Sequence, residues 1–192
     1  MDPAAVTALI QTIAQGLLTG GLYALIGTGL SLIFGVMRVI NFAHGDFLAI
    51  GMFITLALFR AFNFDPYVSL LVAAPVGFAL GYVIQRVILA RLGDRLTEAS
   101  MLATLGLGLI ISNTLLLTFG AQPQNINVAY ATQTVQLGGV QLSIPLIVAG
   151  AGTLVAIGGL NFLLYRTELG RAIRATAQNP LCLLYTSPSP RD

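Results

Sequence analysis

Five long apolar stretches follow one another along the chain, at residues 7–36, 46–62, 67–90, 99–120 and 143–165, with short polar interruptions between them. A helix that crosses the hydrocarbon core of a bilayer uses about 20 apolar residues. The pattern therefore predicts an all-α fold, a polytopic transmembrane helix bundle with about five spans. The first stretch is too long for one upright span and too short for two. It is expected to be strongly tilted, or to begin with a few residues lying along the interface. The second is short, which suits a helix that starts inside the bilayer and ends outside near Arg60.

Smaller patterns sit on this frame. Small residues recur at four-residue spacing: Gly16 and Gly20; Gly27, Ser31 and Gly35; Gly77 and Gly81. Lipid supplies no hydrophobic drive between helices, so such faces predict close backbone approach and a tightly packed bundle. Pro75 predicts a kink and Pro145 a helix start. The stretch "TVQLGGVQLSI" alternates polar and apolar residues about Gly138-Gly139, the pattern of a short hairpin. It either caps the outer mouth or is a plain connector.

Composition agrees with lipid as the main solvent. The chain is 56% apolar and 8% charged, against about 25% charged residues in soluble domains. A net charge of +2 is far too small to suggest a nucleic-acid partner, and none is expected. All nine basic residues are Arg, a nucleotide bias rather than a functional mark. The first stretch lacks a basic flank and a small-residue cleavage site, so it is expected to stay in the protein. Arg86, Arg91 and Arg95 follow the third stretch, and Arg166, Arg171 and Arg174 follow the fifth. Basic residues collect on the cytoplasmic side, which places the uncharged 121–142 connection and the N-terminus outside. Residues 39–47, "VINFAHGDF", then fall on the cytoplasmic half.

That segment puts the chain's single His between two spans, together with Asn41 and Asp46. One reading is a plain helix start, with Asn41 as N-cap and Phe42, Ala43 and His44 in the first turn. The other is a broken helix whose exposed N–H groups line a transport path and suit the carboxylate of a small substrate. The two are compatible. Asn41 and His44, three apart, would share a face, while Asp46 would point elsewhere. A carboxylate or guanidinium at mid-bilayer costs about 2.5–3.5 kcal/mol on insertion scales. Asp46 and Arg38 should therefore lie near the interface or be paired, one option being with each other across the break.

Other chemistry is excluded. No second His accompanies His44, so a metal or haem site is not expected. No Ser or Cys nucleophile stands at suggestive spacing. GxxxxGK[ST] is absent and so is Lys, hence ATP, if used, binds another chain. No cofactor is expected.

Residues 165–180, "YRTELGRAIRATAQNP", hold three Arg and one Glu, with Leu169, Ile173 and Ala177 at four-residue spacing. They predict an amphipathic helix leaving the membrane, either a juxtamembrane anchor or a docking helix for a cytosolic partner. The segment "CLLYTSPSPRD", 182–192, breaks every preceding pattern. A Ser/Pro-rich disordered terminus is one reading. The other is artefact: it back-translates in one frame to a sequence that resembles a transposase adapter used in DNA sequencing libraries. On that reading Cys182 carries no redox information, and the natural protein continues beyond about Pro180.

The stretch "GLLTGGLYALIGTGLSLIFGVMRVINFAHGDFLAIGMF" resembles the N-terminal signature of the branched-chain amino acid ABC transporter permeases, the high-affinity leucine/isoleucine/valine type. "ELGRAIRATAQNP" is similar to that family's entry into its cytoplasmic coupling segment. The resemblance covers about residues 9–180. It implies residues 1–180 as the N-terminal part of one ABC permease transmembrane domain, with 181–192 a non-native tail. It also implies a transport subunit rather than an enzyme, in the bacterial inner membrane. A second permease subunit (usually making a heterodimer), two cytosolic ATP-binding subunits and a periplasmic substrate-binding protein would be its partners. Asn41, Phe42, Ala43, His44 and Gly45 match the family's polar turn, and Asp46 follows it in the expected substrate pathway. Arg166, Gly170, Arg171, Arg174, Ala175 and Asn179 match the start of the coupling segment. Substrate stays open within the family among branched-chain amino acids, amides, urea and short acids. The rival classes are a secondary transporter or channel without an ATPase, and a non-transporting membrane scaffold.

Overall fold

A computed structural model of the protein describes residues 3–91, 96–137 and 139–178. Asn179 and the segment 182–192 lie outside the described residues. In chain order the elements are α1 (Pro3–Met37), α2 (His44–Phe62), α3 (Pro66–Val87), a 3-10 turn (Leu89–Arg91), α4 (Leu96–Phe119), β1 (Thr134–Leu137), β2 (Val140–Ser143), α5 (Ile144–Arg166) and α6 (Glu168–Gln178). Five of the helices are long and apolar enough to cross a membrane, and they coincide with the five stretches read from the sequence. The fold is nearly all-α, as expected. α1 is one unbroken helix of 35 residues, about 52 Å at 1.5 Å per residue, well beyond a core of about 30 Å.

The chain divides into two compact units, one formed by α1 with everything from Ala129 onward, the other by Arg38–Val128. In the first, α1 packs on α5. A Cβ at Gly150 would come within 2.5 Å of Leu18 Cδ2, and one at Gly21 within 3.7 Å of the Thr153 methyl. The hairpin is present: β1 and β2 pair antiparallel, Leu137 opposite Val140, and Gly139 takes φ 92° in the turn. β2 runs against α1. Ile144 N–H donates to Gln133 O at 3.0 Å, which fixes the entry to α5. Pro145 stands in the first turn of that helix, where its missing N–H costs nothing.

In the second unit α2 packs against α3 and α4. The α2–α3 connection ends one helix and starts the next within four residues. Asn63 closes α2 in the left-handed region, its N–H donating to Phe59 O at 2.9 Å. Asp65 caps α3, its Oδ1 accepting from Tyr67 N–H at 2.8 Å, with Pro66 at the first helical position. Pro75 lies inside α3, which continues to Val87.

Among the described residues, the expected small-residue stripes are not the faces in close contact. A Cβ on Gly16, Gly20, Gly27, Gly35, Gly77 or Gly81 would meet nothing within 4 Å. Spacing shows which faces permit close approach; it does not show which faces find a partner. The close contact that organises the second unit lies on α4, against Val39 and Ala43, which are 1% and 0% exposed. Both belong to the polar turn.

Candidate functional site

The turn begins where the chain leaves α1. Arg38 takes φ 54°, a left-handed conformation that costs a residue with a Cβ about 1–2 kcal/mol. Asn41 then makes a local turn: its side-chain oxygen accepts from Ala43 N–H at 3.0 Å, and its carbonyl accepts from His44 N–H at 3.4 Å. α2 starts at His44, with Ala43 in the cap position and no side chain capping it. Phe47 N–H donates to Ala43 O at 3.1 Å as the first helical bond. The helix start expected at Asn41 is thus shifted by two residues. Asn41 caps the turn before the helix because its side chain reaches the N–H two residues on, while Phe42 N–H is taken from outside.

The outside partner is α4. Ser100, Thr104, Gly108 and Ser112 recur every four residues and so lie along one helix face. Ser100 and Thr104 are 0% and 2% exposed. Thr104 Oγ1 accepts from Phe42 N–H at 3.1 Å. Its own proton is within reach of Ser100 O at 2.8 Å in α4 and of Ile40 O at 3.3 Å in the turn. A Cβ on Gly108 would stand 2.5 Å from Asp46 Oδ2 and 3.6 Å from Ala43 Cα. Gly108 is therefore the gap into which the Asp46 carboxylate fits, and Ser112 donates its hydroxyl to Asp46 Oδ1. The anticipated Arg38–Asp46 pair does not form among the described residues. Asp46 instead lies in the first turn of α2, where the helix dipole favours its charge, and takes its hydrogen bond from Ser112.

The five sequence-derived pathway residues thus separate by role. Asn41 and Asp46 are half-buried and hold the turn together. Phe42, 53% exposed, and Gly45 face outward, with His44 half-buried between them. The arrangement leaves the first turn of α2, with its partial positive charge, beside an accessible aromatic and an imidazole. Ser100, Thr104, Gly108 and Ser112 escaped the sequence reading, although their four-residue spacing was as regular as that of the glycine stripes.

The second set of residues stands at the corner between α5 and α6, in the other unit. Thr167 both ends α5 and starts α6. Its hydroxyl donates to Leu163 O at 2.6 Å and accepts from Gly170 N–H at 3.1 Å, as an N-cap does, and Arg171 N–H donates to its carbonyl at 3.1 Å. A Cβ on Gly170 would overlap the carbonyls of Leu163 and Leu164. Arg174 lies over the Tyr165 ring, 4.6 Å from its centroid. Arg171 pairs with Glu168 at 2.8 Å on the exposed side, where Arg166 is exposed as well. Ala175 and Ile173 are half-buried, but Leu169 of the expected apolar stripe is 62% exposed. Gly170 and Arg174 hold the corner; Arg166 and Arg171 are its accessible charges.

Residues 12–185 match the sequence model of the branched-chain amino acid transport system permease component. The chain belongs to this permease family. The match runs into the first residues of the 182–192 segment. The permease is 30% identical to the high-affinity branched-chain amino acid transport system permease protein BraD of Pseudomonas aeruginosa, over 88% of this chain and 59% of that protein. It is 30% identical to the probable branched-chain amino acid transport permease protein LivH of Methanocaldococcus jannaschii, over 83% and 52%. Against the LivH permease of Escherichia coli K12 the figures are 25%, 88% and 59%. The chain therefore spans between half and three-fifths of the length of these curated relatives. No solved structure matches it. Family and apolar helices together make this permease a multi-pass protein of the inner (plasma) membrane.

Proposed function

We propose that the chain is the membrane-spanning permease subunit of an ATP-driven importer for branched-chain amino acids or similar small substrates. It works with a second permease subunit, two cytosolic ATP-binding subunits that hydrolyse the ATP, and a periplasmic substrate-binding protein. The observation that carries the reading is the polar turn. Its strained and buried backbone is tied down by α4, while Phe42, His44 and Gly45 stay on the accessible side at a positively polarised helix start. Asn41, Phe42, His44, Gly45 and Asp46 form or shape one wall of the path, and the helix start receives the substrate carboxylate. The corner at Arg166, Gly170, Arg171, Arg174 and Ala175, continuing to Asn179, transmits ATPase closure to the bundle. The walls need only a small difference in affinity for cargo between the two transport states, because a ligand shifts such an equilibrium by that difference alone.

The test is reconstitution of the complete assembly in vesicles, with uptake of labelled leucine in the presence of loaded binding protein. Uptake is expected to depend on ATP and on the ATP-binding subunits. Leucine flux without those subunits would instead establish a secondary transporter or channel.

A further inference from the structure

The polar turn is built from residues 38–46, yet much of what fixes it comes from a helix more than fifty residues further on. Phe42 N–H and Ile40 C=O, on either side of Asn41, converge on the Thr104 hydroxyl. One turn along α4, Gly108 leaves room for Ala43 and the Asp46 carboxylate, and one turn further Ser112 donates to that carboxylate. Thr104 is 2% exposed, so water has little access to replace a lost backbone partner at its hydroxyl, and each of these ties bears directly on the position of the turn. Neither the helix start nor Asn41 alone supplies them, since the Asn41 contacts are local and the cap position of α2 is occupied by Ala43, which has no side-chain acceptor.

We infer that the α4 stripe Ser100–Thr104–Gly108–Ser112 is the positioning element of the transport-path turn, with Thr104 its principal positioning residue. The stripe does not touch cargo. It sets where Phe42, His44 and Gly45 stand, so its effect is on the turnover of the path rather than on capture of the loaded binding protein. Asp46 belongs to this positioning set and acts through Ser112 and Gly108. The inference rests on the importer reading for its transport consequences and on geometry alone for the position of the turn.

Thr104→Val and Thr104→Ser separate the hydroxyl from the shape of the side chain. In the full assembly, Thr104→Val is expected to lower the maximal uptake rate about tenfold, the scale of leaving one buried N–H unpaired. The apparent affinity for loaded binding protein should stay within about twofold, and Thr104→Ser should restore most of the rate. A second arm needs no transport. With Cys182→Ser as background, Gly45→Cys reports on the turn through its rate of labelling by a water-soluble maleimide. Thr104→Val and Gly108→Ala should each change that rate by about threefold or more, and Thr104→Ser should not. Unchanged labelling in both, or Thr104→Ser failing as badly as Thr104→Val, overturns the inference. A wild-type assembly without ATP-dependent uptake would instead sink the importer reading and leave the labelling arm to decide the positioning.

Discussion

Asn41 and His44 sit at the two ends of one short hydrogen-bonded turn, but they are not equivalent. Asn41 closes the turn through its side-chain oxygen on Ala43 N–H, so its replacement acts first on shape. Asn41→Ala should cost about 1 kcal/mol locally, and Asn41→Asp, which keeps the acceptor, should cost less. His44 stands in the first turn of α2 beside the exposed Gly45, and on the proposed function its replacement acts on the wall of the path. Either alanine variant is expected to lower uptake by the assembled transporter more than it weakens binding-protein affinity. Full transport by the double alanine variant would remove both from the path. The residues of this turn stood out in the sequence because a His, an Asn and an Asp between two spans are conspicuous. Thr104 did not stand out, since a Thr in a membrane helix commonly satisfies its own helix carbonyl, as Thr12, Thr28 and Thr114 do here. Only the fold shows that Thr104 also takes the Phe42 N–H.

Among the elements, span positions were legible and their partners were not. Length and hydropathy place five helices within a few residues, because the bilayer sets a minimum apolar length whatever the packing. The hairpin was legible from two glycines between alternating strands. Which small-residue face packs depends on what stands opposite, and the opposite helix is chosen by the whole bundle. Hence the α1 and α3 glycine stripes stay open while the mixed Ser/Thr/Gly stripe of α4 is engaged. The α5–α6 corner illustrates the same limit: Gly170 read as part of a motif, and the fold adds why no side chain fits there. Gly170→Ala should force the corner apart, because the obstructing atoms are backbone carbonyls that cannot swing away. Thr167→Ala should weaken α6 by about 1 kcal/mol through loss of its cap, with Thr167→Ser close to wild type. Both disruptive variants are expected to uncouple the proposed assembly, so that loaded binding protein no longer stimulates ATP hydrolysis. Unchanged stimulation in Gly170→Ala would show that the corner does not transmit ATPase closure.

At the scale of the molecule, the second unit carries its own argument about direction across the membrane. α2 and α4 run parallel. Phe42, just before α2, bonds to Thr104, and Asp46 in the first turn of α2 bonds to Ser112 further along α4. Later in both helices, Phe53 at the middle of α2 meets Phe119 at the end of α4, ring centroids 4.4 Å apart, and Arg60 in the last turn of α2 donates to Gln124 beyond α4. α3 follows α2 after a short connection and packs back along it, so Arg86 in its last turn and Arg91 in the 3-10 turn beyond it lie on the same side as the polar turn. Among the described arginines of this unit Arg60 is the one on the opposite side, and it is held by Gln124 in the uncharged 121–142 connection. If the basic residues mark the cytoplasm, the turn opens toward the cytoplasmic half and residues 120–126 lie outside. With Cys182→Ser as background, a cysteine replacing the exposed Asn125 should react with a membrane-impermeant thiol reagent in intact cells from which any outer membrane has been removed. One replacing the exposed Ala90, beside Arg91, should react only after the membrane is opened. The reverse pattern would place the polar turn on the outer half. On the proposed function, its helix start would then meet cargo released by the binding protein at the beginning of the transport path rather than toward its end.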